Sequence, residues 1–67
     1  MIKIFINGES KELNEQVNLT ELLKYFSLPT ERVAIELNQA VVRKKDWENI
    51  QIKENDKIEV VHFVGGG

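Results

Sequence analysis

The chain has 67 residues, enough for one small domain, with 42% apolar and 30% charged residues, a net charge of −2 and no cysteine. Without cysteine there is no disulfide staple, thiolate metal site, iron–sulfur cluster or thiol nucleophile. The slight acidity removes the electrostatic footprint of a nucleic-acid binder, and no apolar run approaches the ~20 residues of a membrane span. The start of the chain enters a strand pattern directly, with no signal-peptide layout, so a cytoplasmic protein is expected.

Ile2-Lys3-Ile4-Phe5-Ile6 carries isoleucine at every second position and reads as a strand. Asn7-Gly8 follows, the strongest short hairpin signal, because a type I′ turn needs positive φ at both central residues. A second strand should return from Glu9 to about Leu13 as a sheet edge, since it carries little apolar surface. Asn18 then stands where a helix N-cap belongs, with Glu21 in the reciprocal capping-box position. Leu19, Leu22, Leu23 and Phe26 recur at helical spacing, and Pro29 stops the helix near Ser27.

Val33-Ala34-Ile35-Glu36-Leu37 is a third strand, Asn38-Gln39 turns the chain, and Val41-Val42 forms a short fourth. Trp47 and Ile50 fall in an irregular crossover lapping over the core, and Glu54-Asn55-Asp56 is a polar turn. A last strand from Lys57 runs through Phe63 and Val64 into Gly65-Gly66-Gly67. Pairing of the last strand beside the first and parallel to it is the economical arrangement, because the helix lies in the crossover between them. The expected fold is therefore α+β, a mixed four- to five-stranded sheet with one main helix on one face, over residues 1–64. Phe5, Val61 and Phe63 would point away from that helix. Either they form an apolar partner patch continuing to Val64, or the crossover around Trp47 covers them.

Three of the four glycines are the last three residues. Glycine lacks Cβ, so such a segment can thread a channel too narrow for other residues and leaves the carboxylate of Gly67 unguarded. Residues 65–67 are expected to be a flexible tail. A bare carboxylate on a tail of this kind suggests chemistry done to the chain's own C-terminus. The bland alternative is a frayed end.

Taken together these segments resemble the ubiquitin-like β-grasp sulfur carriers of the ThiS type, which serve thiazole formation in thiamine biosynthesis. The likeness spans the whole chain: Asn7-Gly8-Glu9, the Leu19-Thr20-Glu21-Leu22-Leu23 helix and Val33-Ala34-Ile35-Glu36-Leu37-Asn38. It continues through Val41-Val42-Arg43, Trp47, Asn55-Asp56-Lys57-Ile58-Glu59-Val60 and the glycines. The resemblance implies a β-grasp fold and a protein cosubstrate rather than an enzyme. It implies that an E1-like, ThiF-type adenylyltransferase consumes ATP to adenylate Gly67, with no cofactor bound by the carrier itself. Sulfur from a cysteine desulfurase would then make a thiocarboxylate at Gly67, and a ThiG-type thiazole synthase would receive it. Gly65 and Gly66 would be the segment gripped by the partners' channels. The family pattern requires two terminal glycines, whereas this chain has three, and a chain ending at Gly67 would need no trimming.

Two other functions share much of this pattern: the sulfur carrier of molybdopterin biosynthesis and a ubiquitin-like modifier joined through Gly67. The Asn7-Gly8-Glu9 opening fits the thiazole carrier better. His62, the one histidine, has no Ser or Asp arranged around it in sequence and reads as a surface or structural residue. Trp47 reads as core cover rather than a stacking platform, and Arg43-Lys44-Lys45, followed at once by Asp46, as a solvated turn.

Overall fold

Asn7 and Gly8 take φ of 49° and 84°, the positive pair a type I′ turn requires. The chain therefore folds back at once, and β1 (Ile2–Ile6) pairs antiparallel with β2 (Glu9–Leu13), Ile6 opposite Glu9. The computed structural model of the chain describes residues 1–63.

α1 (Leu19–Tyr25) starts on a complete capping box: Glu21 N–H donates to Asn18 Oδ1 at 2.8 Å, and Asn18 N–H donates to Glu21 Oε1 at 2.9 Å. The Leu19 N–H, another of the unpaired donors of a first turn, reaches the Ile50 carbonyl at 2.9 Å. Asn18→Ala should therefore lower stability by about 1 kcal/mol, read as a fall in the urea midpoint with unchanged slope. The helix ends sooner than the position of Pro29 alone suggests. Ser27 takes φ of 55°, Leu28 N–H donates to Leu23 O at 2.8 Å and Ser27 N–H to Lys24 O at 3.1 Å. That is a Schellman closure built on serine instead of glycine, and Pro29 lies just beyond it.

β3 (Val33–Leu37) and β4 (Ala40–Val42) form a second tight hairpin across Asn38 and Gln39, both at positive φ. The chain then makes a 3-10 helix over Lys44–Asn49, where sequence reading expects only an irregular crossover. Its N–H of Ile50 returns to Trp47 O at 3.3 Å. The Glu54–Asp56 turn is pinned to β1: Phe5 N–H donates to Asp56 O at 2.9 Å and Lys3 N–H to Glu54 Oε1 at 3.0 Å.

β5 (Lys57–His62) completes a five-stranded sheet in the order β2-β1-β5-β3-β4. β5 lies parallel to β1, with Phe5 beside Lys57 and Ile6 beside Ile58, and antiparallel to β3, as the economical pairing requires. One face of the sheet presents Ile4, Ile6, Ile35 and Ile58 to Leu19, Leu22 and Leu23 of α1, with Leu13 and Ile52 closing the sides of a single core. Trp47, 4% exposed, belongs to that core, and its Nε1–H donates to Val42 O at 3.3 Å. Among the described residues no helix is long and apolar enough to cross a membrane.

Candidate functional site

Val64, Gly65, Gly66 and Gly67, where sequence reading places the reacting carboxylate, the gripped segment and the end of the patch, lie outside the described residues. So does the expected flexibility of residues 65–67. The structure shows the platform that delivers them. β5 is the middle strand, hydrogen-bonded on both sides, and Ile58 at its heart is fully buried between Ile6 and Leu37. A strand held this way gives whatever follows it a fixed point of departure.

Three residues, Asn38, Asn7 and Arg32, finish that strand. At its start, Asn38 donates its N–H to Lys57 O at 2.8 Å and accepts the Lys57 N–H on Oδ1 at 3.0 Å. The Asn38 Nδ2 also donates to Asp56 Oδ1 at 3.0 Å. Toward its end, Asn7 donates its N–H to Ile58 O at 2.9 Å and accepts the Val60 N–H on Oδ1 at 2.8 Å. Past the strand, Phe63 N–H donates to Arg32 O at 2.8 Å, and Arg32 itself takes φ of 58°. Sequence reading finds both asparagines only as turn residues. Their long side-chain bonds to β5 carry no local signal, since the partners lie 53 and 19 residues away.

Phe5, Val61 and Phe63 all follow the alternation onto the face opposite α1. Val61 is 46% and Phe63 61% exposed, so the crossover around Trp47 does not cover them. Phe5 is half-buried and carries Lys3 Nζ at 5.5 Å from its ring. It stands beside Lys57, four residues before Val61, which is about 13 Å along a strand rising ~3.3 Å per residue. Glu59 lies between them, directly opposite Glu36. The three residues thus share a face without forming one continuous surface: Val61 and Phe63, with Ala34 across from Val61, sit together at the exit of β5.

The remaining sequence candidates are bland. His62 is exposed, opposite Val33. Lys44 is engaged by Glu31 at 2.8 Å, and the ammonium holds that exposed carboxyl below the ordinary carboxylate range through a hydrogen bond and charge attraction. A surface pair of this kind adds little stability.

The sequence profile of the ThiS family, described by that name, matches residues 4–67. The sulfur carrier protein ThiS of Bacillus subtilis is 30% identical over 63 residues, covering 92% of this chain and 96% of that one. A thiazole synthase of Magnetococcus marinus is 41% identical over 66 residues, which are 98% of this chain and only 20% of that protein. The crystal structure of the thiamine biosynthesis protein ThiS from Geobacter metallireducens superposes with a TM-score of 0.88 at 30% identity, over 98% of this chain and 100% of that one.

Proposed function

The chain belongs to the ThiS family of small carrier proteins and has its β-grasp fold; from that premise we propose that it carries sulfur as a thiocarboxylate on Gly67 for thiazole formation. The observation that carries this reading is the joining of a family match running to residue 67 with a central strand, β5, whose sequence continues through Phe63 and Val64 to three glycines. A terminal carboxylate, with a pKa of about 3.5, is an anion at neutral pH and resists nucleophiles. In the proposed sequence one carboxylate oxygen attacks the α-phosphorus of ATP on the adenylyltransferase, and pyrophosphate leaves. The terminal sulfur of a persulfide, supplied through a cysteine desulfurase, then attacks the acyl carbon and AMP leaves. Thiolate attack on the resulting S–S bond releases the thiocarboxylate and leaves a disulfide behind.

A thiazole synthase is the proposed acceptor. The Magnetococcus marinus relative supports this, since a segment like this chain there forms about a fifth of a protein bearing that name. Tail length restricts where partners dock. Four residues follow Phe63, and fully extended chain covers at most ~3.6 Å per residue, so Gly67 reaches only about 14 Å from Phe63. The docking surface must then include the exit of β5, which is where Val61 and Phe63 are exposed. Phe5 stands at the margin of that surface. Glu36 and Glu59, facing each other beside it, repel in the free chain and suit a partner with basic residues at the rim. Phe63→Ala should fold normally and weaken binding to the adenylyltransferase by about 1–2 kcal/mol, as for an aromatic interface anchor. Unchanged affinity in calorimetric titration would remove the patch from the interface.

Incubation with the adenylyltransferase, ATP and a sulfur source, followed by intact-mass measurement, tests the function. Exchange of one oxygen for one sulfur is expected. Conjugates to other proteins would indicate a modifier, and an unchanged mass would leave only a binding module. Supply of the product to thiazole synthase or to molybdopterin synthase then separates the two carrier pathways, with turnover by the former expected.

A further inference from the structure

We propose that Arg32 is a partner-binding residue: its guanidinium meets a carboxylate on the adenylyltransferase, beside the apolar seat taken by Val61 and Phe63. The inference rests on the carrier reading above, and its ground is a side chain that strains the fold without serving it.

Arg32 stands in the segment that leads from α1 into β3, with φ of 58°. That is the left-handed region, where Cβ crowds the following carbonyl and most residues other than glycine are disfavoured. Six non-glycine residues adopt it among the described residues. Asn7, Asn38 and Asn55 are of the type that tolerates it best, and Ser27 closes α1. Gln39 belongs to the β3–β4 hairpin, at the opposite end of β3. Arg32 contributes to the fold through its backbone, whose carbonyl accepts the Phe63 N–H at 2.8 Å. Glycine would supply that carbonyl with less strain.

The Arg32 side chain is exposed. Among the described residues its guanidinium makes no hydrogen bond and no ion pair. The acid next to it in sequence, Glu31, is already engaged by Lys44 at 2.8 Å. Glu36, the next acid along β3, is four residues on, about 13 Å at ~3.3 Å per residue. That exceeds the screening length of about 8 Å at physiological salt. The charge therefore goes unanswered within the described chain, one backbone hydrogen bond away from Phe63.

Phe63 and Val61 are the exposed apolar side chains at the exit of β5. Arginine and aromatic residues are enriched where protein interfaces are most tightly packed, and the planar guanidinium fork fits a carboxylate with two parallel hydrogen bonds. Charge also orients the partner. Glu36 and Glu59 face each other on one side of Val61, and Arg32 lies on the other, next to Phe63. A partner with a basic residue near the first and an acidic one near the second docks in one register only.

Binding kinetics with the adenylyltransferase, measured without ATP, compare the parent chain with Arg32→Gly and Arg32→Lys. Glycine keeps the backbone carbonyl and accepts the positive φ, so the urea midpoint of Arg32→Gly should equal or exceed the parent's. Its affinity for the enzyme should fall about tenfold, mainly through a faster koff, as when one side of a desolvated charged pair is removed. Arg32→Lys keeps the charge without the fork and should remain several-fold weaker than the parent. A lower urea midpoint in Arg32→Gly would show that the side chain serves the fold. Parental affinity would remove Arg32 from the interface, and a change confined to kon, or full recovery with lysine, would leave only a steering charge. A loss that appears only with ATP present would assign the guanidinium to the nucleotide phosphates. Each of these results overturns the proposal while the carrier reading stands. If the parent chain itself does not bind the adenylyltransferase, the carrier reading fails and takes this inference with it.

Discussion

Deleting Gly66 and Gly67 is expected to abolish pyrophosphate release by the adenylyltransferase while leaving far-UV circular dichroism and the urea midpoint unchanged. The two effects separate because the core is closed without the tail: Ile4, Leu22, Ile35, Ile52 and Ile58 are all fully buried within residues 1–63. Gly66→Val should do nearly the same by a different route. It keeps the length and the terminal carboxylate but puts a branched side chain, stiff at χ1, where the proposed partner channel would close around bare backbone. A loss of about a hundredfold or more in kcat/KM is expected, since even ~1 Å of misplacement at a reacting centre has that cost. A Gly66→Val chain with parental kinetics would show that no narrow channel grips the tail.

Trp47→Ala should produce the largest loss of stability of any single change in the 3-10 segment. Trp47 is the one buried residue of Lys44–Asn49, and truncating a buried tryptophan costs about 3–5 kcal/mol. A chain of 67 residues, at ~0.05–0.15 kcal/mol per residue, has a total stability of only about 3–10 kcal/mol. The variant should therefore be substantially unfolded at moderate temperature. Trp47→Phe keeps much of the apolar contact and loses the 3.3 Å bond from Nε1–H to Val42 O, so it should cost nearer 1–2 kcal/mol, counting the smaller ring. Thermal unfolding followed at far-UV wavelengths, where the missing indole does not matter, ranks the two. If Trp47→Ala melts with the parent, the side chain does not seal the core, and a recognition role for it reopens.

What was legible in the sequence is local. Asn7-Gly8 declares its hairpin because positive φ at two successive residues suits few other pairs, and Asn18 with Glu21 declares the start of α1 because the two caps are reciprocal. Alternation placed Phe5, Val61 and Phe63 on one face. It could not give their separation, which depends on the offset between β1 and β5, Phe5 falling beside Lys57. The 3-10 helix was not legible: a lone buried Trp47 among Lys44, Lys45, Asp46, Glu48 and Asn49 sets up no period. Nor were the bonds from Asn38 and Asn7 to β5, because a turn asparagine looks the same whether its amide faces solvent or a distant strand. The chemistry proposed for the tail rests on the sequence alone, since glycine is informative wherever a partner must approach the backbone closely.

The central claim is that the free carboxylate of Gly67 is the group activated, and the most direct measurement is pyrophosphate release from ATP by the adenylyltransferase acting on a chain made with a C-terminal amide. The amide leaves every described contact in place and changes neither the length nor the glycines. It removes the anionic oxygen that attacks the α-phosphorus. Release at the enzyme's background level, with binding of the amidated chain undiminished, is the predicted result. Release at the rate of the free acid would show that the terminus is not the reacting group, and the carrier function would fall with it.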